Sequence, residues 1–322
     1  MHSRSLFGLF ALLIAAQPVL AQGQWPSRPV RIIATSPPGG SVDFLARTLA
    51  ENFSRAFGQV FVVDNRPGAN GNIGVDAALK SPADGHALFV APPGPFAINA
   101  HLMGAMPFSA GDIAPVAMLA VAPLLLVTHS SVPSKNLKEL IAWLEAGNGA
   151  ANYASQAVGS TGHLAMELFK ARAGVEATHV PYRGSAAAAT ADLLAGRVAL
   201  SFVNTSTTLA YIQQGQLRAI AVAEKKRIAA APDVPTLNES GLPGFEATPW
   251  LGLGARAGTP VNIIEPIAEE SRRALALPEV AARMTRIGIE PRPMTPEQFA
   301  AFIRADTEKW AEIIRRSGAR AE

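Results

Sequence analysis

TSPPGGSVDFLARTLAENF, residues 35–53, sets two prolines and two glycines between an apolar run and an amphipathic segment. The run before it, VRIIAT (30–35), is β-branched and short, as a buried strand requires. After it, Leu45, Leu49, Phe53 and Phe57 recur at steps of four, one face of a helix, and Gly58 is placed to end that helix. The junction therefore reads strand, tight loop, helix. Pro37 and Pro38 stiffen the loop entry, while Gly39 and Gly40 let a ligand approach the backbone closely. Ser41 is placed to cap the helix or to turn its hydroxyl outward. A helix start leaves backbone N–H groups unpartnered and carries partial positive charge. Such a loop suits an anion held by backbone dipoles.

The same alternation continues along the chain. VFVVD (60–64) reads as the next strand, NRPGANGN (65–72) as a glycine-rich loop, and HALFVA (86–91) as a third strand after a short helix. The apolar segment 116–128 leads into a second series of strands and helices running to LRAIAV (217–222). PWLGLGA (249–255) reads as another strand, followed by helices broken at EPRPMTP (290–296). Alternation of this kind predicts an α/β protein with mostly parallel sheets flanked by helices. We expect two lobes, with the ligand cleft between them. Residues 22–121 and 245–322 would form the first lobe and residues 122–244 the second. The crossings are expected near 116–128 and 245–255.

The opening stretch has a counterpart. Shifted by 119 residues, Ser36 falls on Ser155, Gly40 on Gly159, Ser41 on Ser160, Leu45 on Leu164, Ala46 on Ala165 and Leu49 on Leu168. Each lobe is expected to carry one such loop at the carboxyl ends of its strands, where open α/β sheets bind ligands. Facing each other, the two would grip the ends of one small carboxylate.

The N-terminus reads as an export signal: Arg4, an apolar stretch from Leu6 to Ala16, and Val19-Leu20-Ala21 before a cleavage point. There is no cysteine, so no disulfide supports the fold and no lipid is expected at the cleavage point. The net charge of +3 is scattered along the chain, which argues against nucleic acid as a partner. No dinucleotide fingerprint or phosphate-binding lysine loop is present, and no cofactor or metal is expected.

Several blocks resemble the Bug-type solute receptors of tripartite tricarboxylate transport systems. They include PVRIIATSPPGGSVDFLAR, VVDNRPGANGNIG, HLAMELFKARAGVEATHVPYRGS, PDVPTLNESGLPGFEATPWLGLGARAGTP and EKWAEIIRRSG, and together they cover most of the chain. The resemblance implies a two-lobed fold of the type II periplasmic binding protein kind, in a periplasmic, monomeric receptor that hands a small carboxylate to membrane permease subunits. A sensory variant, presenting the loaded protein to a membrane kinase, needs the same closed shape. Carried over, the site comprises Ser36 to Asp43, Ser155 with Val158 to Ser160 and His163, then Tyr182, Arg183 and Gly184, and Asn204. Thr35-Ser36, Asn99-Ala100 and Asn204 depart from the usual pattern. Asn204 stands where an acid is common, which disfavours ligands bearing an ammonium group.

Individual residues carry alternatives. Arg183 suits a bidentate pair with a carboxylate, or is a solvated loop arginine. Asp43 suits the dipole at its helix start, which favours a structural role over ligand contact. Phe96 and Tyr182 would line the cleft or belong to the core, and Trp250 suits hinge packing. Ser160 and His163 lie three residues apart, yet no nucleophile elbow and no orienting acid accompany them, so hydrolysis is not expected. Dicarboxylates and aromatic carboxylates are the favoured ligands.

Overall fold

The computed structural model describes residues 25–182 and 185–320. The expected signal segment, 1–21, lies outside the described residues, as do Arg183 and Gly184. The strands are β1 Val30–Ala34, β2 Phe61–Asn65, β3 Ala87–Ala91, β4 Ile113–Val121, β5 Leu124–His129, β6 Asn152–Ser155, β7 Thr178–Pro181, β8 Leu200–Asn204, β9 Leu217–Val222, β10 Trp250–Arg256 and β11 Glu290–Pro291. The α-helices are α1 Ser41–Phe57, α2 Asn72–Leu79, α3 Asn99–Leu102, α4 Leu137–Gly147, α5 Thr161–Ala173, α6 Ala186–Leu194, α7 Thr205–Gln213, α8 Val261–Ala276, α9 Pro278–Arg286 and α10 Pro296–Ser317.

Two sheets result, in the order β11-β4-β10-β3-β1-β2 and β7-β6-β8-β5-β9. In each, an inserted strand runs antiparallel to both of its neighbours: β10 between β3 and β4, and β5 between β8 and β9. Near the edge of the first sheet, β4 is likewise antiparallel to β10 and to β11. β10 and β5 are the two strands that begin where the chain arrives from the other sheet. β4 ends at Val121 and β5 starts at Leu124, so the chain crosses in two residues and heads away from the crossing point. The strands that surround it end there, and their carboxyl ends consequently face one another across the gap between the sheets.

The crossings lie side by side. The Ala122 N–H donates to the Pro249 carbonyl at 2.8 Å, and the Pro123 carbonyl accepts from both the N–H and the hydroxyl of Thr205. The apolar segment 116–128 is thus two strands interrupted at Pro123, which has no N–H to extend a ladder. Immediately after the second crossing, the buried Trp250 indole donates to the Asp306 carboxylate at 2.7 Å, and Trp310 donates to the same oxygen at 2.8 Å. Trp250 is therefore packed at the hinge, as its position suggests.

The apolar faces are covered on both sides. Leu45, Leu49 and Phe53 of α1 pack with Ile264 and Ile267 of α8 on one face of the first sheet. A second cluster runs from Phe89, Phe96 and Phe299 through Trp250 to Phe169, Phe202 and Phe245, and so continues from one lobe into the other. α10 touches both β4 and α5, so the last helix straps the two lobes rather than returning to the first alone. The short strand β11, formed from the EPRPMTP break, pairs with β4 and was not foreseen. No helix among the described residues is long and apolar enough to cross a membrane.

Candidate functional site

β1 and β2 lead into segments 35–40 and 66–71, β3 leads into the helical turn Gly94–Ile98, and β6 and β8 lead into loop 156–160 and α7. These ends meet across the gap. The Asn70 side-chain amide donates to the Val158 carbonyl at 3.3 Å. Leu102, at the end of α3, sits so close over Gly159 that a Cβ built there would fall 1.8 Å from its Cδ2.

The two anticipated loops share a geometry. Gly39 and Gly159 both adopt left-handed backbone, φ 87° and 74°, which glycine takes without strain. Each N–H is tied to a side chain four residues on: Gly39 to the Asp43 carboxylate at 3.0 Å, Gly159 to His163 Nδ1 at 3.1 Å. The geometric repeat is therefore 120 residues, one more than the shift that maximised identities. Gly39 corresponds to Gly159, and the caps Gly40 and Ser160 correspond to each other. Both glycine N–H groups are thereby engaged and not free to donate to a ligand carboxylate.

The open donors lie one step further on. Gly40 provides no side-chain cap, so the first-turn amides of Ser41 and Val42 are open at the start of α1. In α5, the Ser160 hydroxyl accepts the His163 N–H at 3.3 Å, leaving the amides of Thr161 and Gly162.

Asp43 is a structural pin. It is buried and accepts from Gly39, Arg47 and Asn65. Burial works against its charge, but the Arg47, Gly39 and Asn65 hydrogen bonds outweigh it and hold the carboxyl below the usual range. On the second lobe the equivalent pin is neutral. His163 is 5% exposed and stacks on His179 at 4.0 Å, and His179 stacks on Tyr153 at 4.8 Å. Burial first, and then the Lys170 charge, pushes His163 down to about 4. Burial and the neighbouring His163 do the same to His179.

Other expected site residues are placed elsewhere. Ser155 is buried rather than open to the cleft, its hydroxyl donating to the Ala157 carbonyl at 3.0 Å and lying 2.6 Å from His179 Nε2. Phe96 is core, packed on Phe89, Trp250 and Phe299. The Tyr182 hydroxyl donates to Asp192 at 2.6 Å; burial and that carboxylate push it up to about 12. Ser36 is half-buried and turns its hydroxyl to the Pro37 carbonyl, whereas Pro37, Pro38, Gly39 and Gly40 are exposed. Asn204 ends β8 half-buried, with its side chain uncommitted to capping α7. The Ser160 hydroxyl and the His163 ring are turned to different backbone groups, so they form no nucleophile–base pair. Asn70 and Leu102 were not foreseen. NRPGANGN announced a glycine-rich loop, but nothing in it told that the loop reaches the opposite lobe.

Two lobes joined at a double crossing, with paired strand–helix loops facing across a cleft, define a solute-binding receptor of the periplasmic binding protein type. The chain belongs to the tripartite tricarboxylate transporter family receptor (TctC) family, whose model matches residues 45–319. It is 38% identical over 326 residues to protein BugT of Bordetella pertussis, covering 99% of each chain. Its structure is similar to that of an R. palustris protein solved with adipate, with TM-score 0.83 and 34% identity over 92% of this chain and 99% of that one. MatC from Rhodopseudomonas palustris, with bound malate, gives TM-score 0.78 and 28% identity over 90% of this chain and all of the other. The family so matched is a receptor family.

Proposed function

We propose that the protein captures a small dicarboxylate between its lobes in the periplasm and delivers it, as a monomer, to the permease subunits of a tripartite transporter. Export would use the segment 1–21, cut after Ala21. The observation that carries this reading is the pair of left-handed glycine turns, Gly39 and Gly159, each opening a helix start toward the cleft from its own lobe. One carboxylate would sit on the amides of Ser41 and Val42, the other on those of Thr161 and Gly162, with Asn204 and Arg183 as side-chain donors. Adipate and malate, in the two similar structures, are both dicarboxylates. An aromatic carboxylate fits less well, because Phe96 is core and the Tyr182 hydroxyl is spent on Asp192.

The test is thermal unfolding of the protein without residues 1–21, refolded to clear any trapped ligand, against adipate, malate, their diamides and monocarboxylates. A ligand that binds only the folded state raises the midpoint by mass action. A rise with a dicarboxylate that its diamide does not produce supports the reading. No rise with any member of the panel sinks it.

A further inference from the structure

We infer that Asn70 is a latch that holds the two lobes together, and that Asn99 is the positioning residue that aims it. The inference rests on the lobe-closing receptor reading above, but its two amides, Asn70 and Asn99, lie outside the carboxylate-binding loops. Asn70 lies after β2 of the first lobe and its amide donates to the carbonyl of Val158 on the second, beside the Leu102–Gly159 contact. At this edge the cleft is shut by protein touching protein.

The loop is built to make that reach. Gly68, Ala69, Asn70 and Gly71 have φ of 123°, 46°, 50° and 95°, four consecutive residues in left-handed backbone. Ala69 and Asn70 pay strain for it, asparagine less than most side chains, and such strain persists only where surrounding contacts impose it. Those contacts are present. The fully buried Asn99 donates to the Asn72 side-chain carbonyl at 2.7 Å and to the Asn70 backbone carbonyl at 3.4 Å. Asn72 in turn donates to the sulfurs of Met103 and Met106, each at 3.2 Å. Gly94 lets the loop descend onto this layer, since a Cβ there would lie 2.7 Å from the Asn70 carbonyl. A buried row of amides thus grips the backbone of Asn70, whose side chain crosses to the other lobe. Packing alone would be served by an apolar side chain at 99; holding Asn70 in register requires the amide.

The chain has no cysteine, so two can be placed without background. Ala56→Cys on α1 and Ala191→Cys on α6, both exposed, carry spin labels for a pulsed dipolar measurement of the lobe-to-lobe distance. Asn70→Gly removes the side chain while keeping the left-handed backbone free of strain; Asn70→Asp keeps the shape but turns an acceptor toward Val158. Without added ligand, the parent should populate the separation seen in this structure, and both variants should lower the closed-to-open ratio by about two- to tenfold. Asn99→Leu should do the same, and combining it with Asn70→Gly should add nothing, a coupling that a merely structural role would not give. With adipate or malate as probe, the Asn70 variants should release faster than the parent. Distance distributions unchanged in the variants, or a parent that never populates this separation, would overturn the latch. If the parent binds no carboxylate, the receptor reading fails separately, and the ligand-free distances still decide the latch.

Discussion

The N–H of Gly159 donates to Nδ1 of His163 at 3.1 Å, which fixes that ring nitrogen as an acceptor and the imidazole as neutral. The equivalent glycine of the first lobe, Gly39, is held by the charged Asp43. The two halves of the cleft are therefore built alike in backbone and differently in charge. A carboxylate approaching the second-lobe helix start meets no fixed negative group in the pin, while one approaching the first meets Asp43, compensated by Arg47.

Acid should expose this difference. His163 has its folded pKa lowered from 6.5 to about 4, so the unfolded chain takes a proton before the folded one does. Its contribution to stability is complete above pH 6.5 and is lost as the pH falls toward 4, on the order of 3 kcal/mol over the window. His179, stacked on it, titrates with it as a pair. Urea unfolding at pH 7.5, 5.5 and 4.5 should show this decline, and His163→Asn should flatten it. An equal slope in both proteins would mean that His163 is not the group concerned.

Gly40 and Gly159 should respond differently to a side chain. A Cβ at Gly40 meets only ordinary contact, 3.6 Å from the Ser36 hydroxyl, on unstrained backbone. Gly40→Val should keep the thermal midpoint within about 2 °C and abolish the shift produced by a dicarboxylate. Gly159→Ala should instead prop the lobes apart, because its methyl collides with Leu102 and its backbone is left-handed. Solution scattering would read this as a larger radius of gyration. Unimpaired binding by Gly40→Val would remove the first-lobe amides from the site.

Asp306 is the most costly side chain to remove at the hinge. One carboxylate oxygen accepts two buried indole N–H groups, and the other lies 2.5 Å from Lys309 Nζ. Asp306→Ala strands both indoles and should cost about 3 kcal/mol in denaturant unfolding. Asp306→Asn, which keeps one acceptor, should cost clearly less. Equal losses would mean that packing rather than the shared acceptor matters.

The centre of the first sheet should not tolerate methyl groups. A Cβ on Gly254 would fall 2.3 Å from Phe89, and one on Gly252 would fall 2.4 Å from Phe299. Gly254→Ala should destabilise the protein by about 1–3 kcal/mol through overpacking, with ligand affinity retained. A stable variant with lost affinity would instead tie β10 to the cleft.

The order of strands and helices was readable because burial on one face imposes a period. Leu45, Leu49 and Phe53 announce α1 as clearly in the sequence as they pack in the structure. Loop chemistry was legible in kind and not in register. The shift of 119 residues was set by matching glycine, serine, alanine and leucine, residues that recur often in this chain, whereas the equivalence of Gly39 and Gly159 depends on φ and on a bond to residue i+4. Ser155 was misplaced for a related reason: the end of a strand can point a side chain either into the cleft or into the core, and alternation cannot tell which once both faces are buried. Phe96 lies beyond β3 in the helical turn Gly94–Ile98, whose direction the strand pattern does not set. Asn70 was invisible because its partner lies 88 residues away on the other lobe.

The inserted strands also set a timetable. β10 lies between β3 and β4 in the first sheet, so that sheet stays split until residue 256 is available, whereas every strand of the second falls between Leu124 and Val222. A chain emerging from its N-terminus completes its middle first, and its opening third waits, unfinished, for the last quarter. Pulsed hydrogen exchange during refolding should protect β6 and β8 before β1 and β3. Under the proposed export, such a delay would keep the leading segment threadable.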